Sequence, residues 1–149
     1  MALVDRSRLL VLAAILALIA LLGAGAWWFL MRSSPPPPLP LTPEGRAYVK
    51  YLQLSNVEMS AKVSFAGGSL VEITGKITNT GDRAVERVEL TCVFYDPYGM
   101  VVLRERVPIV RRRLNPGETR EFRLPFENPP ASWNRQMPQL VIAGLQFAS

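Results

Sequence analysis

The sequence predicts an antiparallel β-sandwich preceded by one N-terminal transmembrane helix, an all-β fold apart from its anchor. Three observations carry this. Residues Leu9 to Met31 run for 23 positions without a charge. A proline-rich stretch, Ser33 to Pro43, separates that block from the rest. Beyond it, apolar and polar residues alternate with a period of two, and turn-forming residues punctuate the runs. The chain divides into an N-terminal tail (1–8), an apolar segment (9–31), a linker (32–43) and a β domain (44–149).

As a helix rising ~1.5 Å per residue, the apolar segment spans ~34 Å, enough to cross a hydrocarbon core of ~30 Å with some tilt. Arg6 and Arg8 precede it and Arg32 follows. This slight basic excess places the N-terminus in the cytoplasm and exports everything after Arg32. Trp27, Trp28 and Phe29 fall where an aromatic belt meets the outer interface. A cleaved signal peptide is the rival reading, since Ala24-Gly25-Ala26 fits a small-residue cleavage site after Ala26. Against it, the apolar run continues through Trp27 to Met31 beyond that cut. Ala13, Ala17, Ala20 and Ala24, at i, i+4, i+7 and i+11, form a stripe of small residues where another transmembrane helix could approach closely. Alanine is also simply common in apolar helices.

The linker is expected to take polyproline II geometry, a semi-rigid spacer of roughly 34 Å at ~3.1 Å per residue. A ligand for a proline-reading module is the alternative. Thr42 can cap a short helix over Pro43 to Leu52, with Pro43 in its first turn. Strands are expected where Val57, Met59, Ala61, Val63 and Phe65 alternate with polar residues. The same pattern recurs through Val71, Ile73, Gly75 and Ile77, through Val88, Leu90, Cys92 and Phe94, and through Phe122, Leu124 and Phe126. Each has one face in a core and the other in water. Val101 to Val110 and Gln139 to Phe147 alternate less cleanly, which suggests cover on both faces. Turns are expected at Gly67-Gly68, Asn79 to Asp82, Asp96 to Gly99 and Asn115 to Glu118, the last a type II turn with Gly117 at its third position.

Gly75-Lys76-Ile77-Thr78-Asn79-Thr80-Gly81-Asp82, then Val88 to Phe94 leading into Tyr95-Asp96 and Gly99, then Leu114-Asn115-Pro116-Gly117-Glu118-Thr119, together resemble the FxLYD-type domain. The resemblance covers roughly half of the exported domain. It implies an immunoglobulin- or fibronectin-III-like sandwich in a bacterial, membrane-anchored or exported protein. Cys92 and Phe94 stand where the name-giving motif has Phe and Leu, and both are apolar and inward-facing. The family carries no common reaction, so no catalytic residue transfers.

Composition excludes several chemistries. With no histidine there is no His-dependent triad, no His-ligated zinc and no imidazole switch. One cysteine allows no internal disulfide and no CxxC pair, and Cys92 reads as a core residue. No catalytic, cofactor-binding or metal-ligating residues are expected. Asp96 belongs to a turn, and neither it nor Glu127 is paired by sequence with a second carboxylate. The most concentrated positive patch is Arg111-Arg112-Arg113, with Arg104 and Arg106 nearby. It reads as an anion or acidic-partner site, or as a solvated strand edge that discourages pairing. Trp133 is either a lid over one end of the sandwich or an aromatic contact for a partner. Nucleic acid is not an expected partner, because the exported part carries 14 basic against 11 acidic residues and no interleaved stacking aromatics.

Two functions follow as expectations. The first is a non-enzymatic, single-pass protein of the bacterial cytoplasmic membrane. Its sandwich, in the periplasm or outside, would bind another envelope or membrane protein or an envelope polymer, with the lipid bilayer holding the anchor. The second is a small accessory subunit of a larger membrane complex, docked through the alanine stripe. An envelope hydrolase or transferase needs a clustered nucleophile or acid–base pair that this sequence does not display.

Overall fold

A computed structural model describes residues 5–32, 35–63, 65 and 67–149. Ser33, Ser34 and Ser64, which the sequence analysis placed in the linker and the first strand, lie outside the described residues, as do residues 1–4 of the N-terminal tail. The chain forms two units, residues 1–37 and 38–149.

The first unit is a single helix, α1 (Arg6–Arg32), of 27 residues. It begins where the Asp5 carbonyl accepts the Arg8 amide at 2.8 Å and runs three residues past the uncharged block at its start. It is long and apolar enough to cross a membrane, and none of its residues is buried. At its C-terminal end the Arg32 guanidinium lies 3.5 Å from the centre of the Trp28 ring. That pairing suits a membrane interface, where an amphipathic ring and a snorkelling cation both find water.

The second unit holds six strands: β1 (Leu52–Val63), β2 (Ser69–Asn79), β3 (Val85–Tyr95), β4 (Val101–Val110), β5 (Thr119–Glu127) and β6 (Gln139–Phe147). They pair antiparallel into two three-stranded sheets, ordered β1-β2-β5 and β4-β3-β6. The inward faces of the two sheets share one apolar core. Val71, Ile73, Ile77, Phe122, Leu124 and Phe126 come from one sheet and meet Val88, Leu90, Cys92 and Phe94 of the other. Phe94 is the centre of this contact, edge-on to Phe126 at 4.9 Å and to Trp133 at 5.5 Å. Strict alternation on β2, β3 and β5 translates directly into this buried face.

The less regular strands depart from the expected double cover. β4 and β6 are the edges of their sheet, and half of β4 is exposed. Their alternation is broken by register shifts opposite Val88/Glu89 and Phe94/Tyr95 on one side of β3 and Val85/Arg87 and Glu89/Leu90 on the other. Each extra residue moves the phase by one, so an edge strand with bulges imitates an irregular buried strand. β1 carries a similar shift between Ser55 and Glu58, where Asn56 takes φ 52°. It begins at Leu52, five residues before the alternation that announced it.

The expected helix over Pro43 to Leu52 is a shorter α2 (Pro43–Tyr48) followed by a 3₁₀ turn, Val49–Tyr51. Thr42 caps it as expected, accepting the Gly45 amide at 3.1 Å. This turn delivers Tyr48 into the core end, where a polar knot closes the domain. The Tyr48 hydroxyl lies 2.8 Å from both Asn79 Oδ1 and the Arg83 carbonyl. Asn79, wholly buried, donates through Nδ2 to the carbonyls of Arg83 (2.7 Å) and Leu114 (3.2 Å) and accepts the Gly81 amide. A Cβ at Gly81 would overlap the Tyr48 ring and hydroxyl. The Asn-x-Gly sequence is thus the physical core of a knot joining α2, the β2–β3 turn and the segment before β5.

The proline-rich stretch is not a free spacer to its end. Leu39 is 7% exposed and Leu41 packs on the core. The Leu39 amide donates to Glu89 Oε2 at 3.1 Å, and its carbonyl accepts from the Arg106 guanidinium. Arg106 Nε in turn donates to Glu89 Oε2 at 2.6 Å. Gly144 lets the segment lie this close, since a Cβ there would sit 2.5 Å from the Leu39 carbonyl oxygen. Two leucines set among prolines offer apolar area at little ordering cost, so they dock. Replacing Glu89 with glutamine is expected to cost about 1.5 kcal/mol, the loss of charge-assisted bonds at a largely buried site. Amide exchange at Leu39 should then quicken well beyond that at Ile73. Unchanged protection at Leu39 would contradict this account of the clamp.

Candidate functional site

β4 ends at Val110, and the three arginines follow before the buried Leu114 turns the chain toward β5. Asn115 to Glu118 closes the turn: the Glu118 amide donates to the Asn115 carbonyl at 3.0 Å, and Gly117 takes φ 76°, as a type II turn requires. The antiparallel return then brings Arg120 back beneath the arginine run. Its two terminal nitrogens donate to the carbonyls of Arg112 and Arg113, each at 2.7 Å, and to Glu118 Oε1 at 2.7 Å. Arg120 is a clamp that fixes the backbone of its neighbours.

The outcome for the three arginines differs. Arg113 turns to the loop, with Nε donating to Asn115 Oδ1 at 2.9 Å. Arg111 and Arg112 line an open groove of about 400 Å³ between β4 and β5. Arg120, Arg123, Glu121 and the apolar Pro108, Ile109 and Phe122 complete it. Arg123 is ion-paired with Glu72, and Glu121 lies 4.0 Å from Lys76. Among the described residues Arg111 and Arg112 form no ion pair. Two guanidinium groups with no direct ion pair therefore line the groove, Arg112 within electrostatic reach of Glu118. Such a pair presents planar donor forks suited to carboxylate or phosphate.

Arg120 and Arg123 were missed in the sequence, although the turn itself carried the signal. A tight turn at Asn115 to Glu118 folds residues 120–123 back alongside 108–112. Arg104 and Arg106 do not join the groove. Arg106 is spent on Glu89 and Leu39, and Arg104 faces Val93 across the β3–β4 ladder.

The Glu118 carboxyl is held below the ordinary glutamate range, first by the Asn115 amide it accepts at 2.8 Å and then by Arg120. A depressed folded-state value means that this contribution is present above the unfolded value of about 4.3 and is lost as pH falls through the folded one. The Asn115 amide resonance should titrate with its midpoint below about 4.3. A midpoint at or above that value would refute the arrangement, and Glu118→Gln should abolish the titration.

The remaining sequence candidates lie apart. Trp133 is 8% exposed, packs edge-on against Phe94 and is not part of the arginine groove's lining. Cys92 is wholly buried, and desolvation together with the Glu105 charge pushes its thiol up to about 12. Asp96 accepts the Tyr98 and Met100 amides at 2.9 and 2.8 Å and is consumed by its turn. Asn128, beside Glu127, accepts the Ser69 amide at 3.0 Å and ties the start of β2 to the end of β5. Ala13, Ala17, Ala20 and Ala24 sit on one unbroken, fully exposed helix and share a face at the spacing expected.

Neither a family model nor a curated protein matches the chain. A crystal structure from Bordetella pertussis, named "Putative ApaA Protein", aligns with 64% of this chain and 92% of its own at 18% identity and a TM-score of 0.37. A likeness of that size carries no argument about fold or function.

Proposed function

We propose that this is a non-enzymatic, single-pass protein of the bacterial cytoplasmic membrane whose exported domain binds an anionic partner, either an acidic protein surface or a charged envelope polymer. The observation that carries the reading is that Arg111 and Arg112, without an ion pair among the described residues, line one groove whose backbone Arg120 fixes at the Arg112 and Arg113 carbonyls. Evenly solvated edge arginines would have no need of a dedicated clamp on their own backbone. Arg6 and Arg8 against Arg32 support an N-terminus in the cytoplasm and a domain in the periplasm or outside.

The finer fold reading is an immunoglobulin-like sandwich of the FxLYD type. Its support is the pairing order, which corresponds to strands A-B-E in one sheet and C′-C-F in the other. The Asn79-Thr80-Gly81 turn and the Leu114 to Thr119 turn, which the resemblance rests on, both converge on the same polar knot.

A second reading, a subunit docked in a larger complex through α1, rests on the exposed alanine stripe. One experiment separates the two. Full-length protein, the Arg111→Ser/Arg112→Ser variant and the Ala17→Leu/Ala20→Leu variant are extracted in mild detergent, and the stoichiometry of any co-purifying partner is measured. Loss of association in the arginine variant alone supports the groove. Loss in the alanine variant alone overturns it in favour of the helix.

A further inference from the structure

The domain is incomplete on the side opposite the arginine groove. β4 and β5 lie together at one side, so β1 and β6 are the edge strands at the other. The inward face of β1 fades from buried to exposed along its length. Leu52 is buried, Met59 is half-buried, and Val63 is 82% exposed. Met59 and Ala61 pair with Ile73 and Val71 of β2, which are both covered, whereas Val63 pairs with the exposed Ser69. At the Leu52 end the chain supplies its own cover, because α2 and Leu41 pack there and the Leu145 amide donates to the Pro40 carbonyl at 3.4 Å. Along Gln139 to Ala143 no strand pairs with the outer edge of β6, and Val141 is 46% exposed.

Above the half-covered face is an open cavity of about 520 Å³, walled by Met59, Ala61, Val63, Val71, Pro130 and Trp133. Two further observations specify what fits it. Among the described residues the buried Trp133 indole N–H has no acceptor, which is rare for a buried donor. Lys62 and Arg135 also line the cavity, no carboxylate does, and neither cation forms an ion pair among the described residues. The lining therefore suits an occupant that is apolar and carries negative charge, and the unpaired edge of β6 adds main-chain groups beside it.

We infer that this side receives an extended segment of a partner polypeptide, apolar at alternate positions and bearing an acidic residue, which adds to β6 as a fourth strand and covers β1. An edge strand provides main-chain affinity and the alternate pockets provide specificity. The carboxylate is placed at Lys62 and Arg135, and the strand lies against Trp133 in the cavity wall. The site is separate from the arginine groove, so it stands or falls independently of it.

The test tethers a probe strand to the full-length protein. A nine-residue segment of alternating Val and Thr with one terminal Glu is fused after Ser149 through a flexible Gly/Ser linker of about 15 residues, which gives millimolar effective concentration. The expected result is at least about tenfold slower amide exchange across Gln139 to Ala143 and a shift in Trp133 emission, read in a Trp27→Phe/Trp28→Phe background. Proline at the centre of the probe should remove both effects, as should Ala61→Glu, which places a like charge at an exposed cavity wall. Replacing the terminal Glu with Lys should weaken both. Unchanged exchange across Gln139 to Ala143, or equal protection by the proline-interrupted probe, overturns the inference. So does a Trp133 shift with free decanoate, in the unfused protein, that equals the strand's and leaves β6 exchange untouched, because the cavity would then be an acyl-carboxylate site.

Discussion

Replacing Asn79 with alanine is expected to destabilise the domain by about 3 kcal/mol and to lower its Tm by roughly 15 °C. The side chain is wholly buried and makes four hydrogen bonds, to Tyr48, Gly81, Arg83 and Leu114. Alanine leaves the Gly81 amide without its acceptor, and the space vacated lies under the Tyr48 ring. Aspartate is no rescue. It keeps the acceptor facing Tyr48 and Gly81 but turns a carboxylate oxygen toward the carbonyls of Arg83 and Leu114, with a buried charge added. Thr80→Ala is the internal control, because its hydroxyl bond to the Tyr51 carbonyl is exposed and should matter by less than about 1 kcal/mol. Thermal denaturation of the three variants decides the matter. If Asn79→Ala and Thr80→Ala differ by less than a few degrees, the knot is not what closes this end.

The second large effect concerns binding. Substituting Arg111 and Arg112 with serine should weaken association with a polyanion, such as a polyol phosphate, about 100-fold, equivalent to about 2.7 kcal/mol. It should also flatten the salt dependence, since two fewer cations exchange counterions. Neither side chain forms a hydrogen bond or ion pair among the described residues, so Tm should move by no more than a few degrees. Arg120→Ser should weaken binding as well, but through loss of the clamp on the Arg112 and Arg113 carbonyls, and should lower Tm at the same time. Equal affinities for the parent and the Arg111→Ser/Arg112→Ser variant would remove the groove from consideration.

Much of this architecture was legible because a period of two survives translation into structure. Val71 to Ile77, Val88 to Phe94 and Phe122 to Phe126 alternate cleanly, and all three supply the core. Alternation tells which side chains share a face and nothing about whether a second sheet lies opposite. β1 shows this, since Val57, Met59, Ala61 and Val63 read as core residues, yet only Val57 and Met59 pack on the core while Ala61 and Val63 are exposed. Bulges hid the phase of β4 and β6. The docking of Leu39 was invisible because its partners, Glu89, Arg106 and Gly144, come from three different strands.

The candidate site was half legible. The arginine run was plain in sequence, but its division into a structural Arg113 and an available Arg111 and Arg112 depends on hydrogen bonds from Arg120 that only the folded hairpin creates. Trp133 could be read as lid or contact. It packs edge-on against Phe94 and also lines the cavity beside β1, and the unanswered indole N–H was beyond any sequence pattern.

The central claim is that the exported domain recognises an anionic partner at the β4–β5 groove, and site-resolved mapping of that contact tests it most directly. The segment Pro38 to Ser149 is a compact unit with its own core, so its backbone and arginine side-chain resonances can be followed while an acidic polymer is added. The account predicts saturable shifts concentrated at Arg111, Arg112, Arg120 and Arg123, lost in the Arg111→Ser/Arg112→Ser variant and suppressed by salt. Shifts spread evenly over all fourteen cations of the domain, or a response that survives the double substitution, would contradict it.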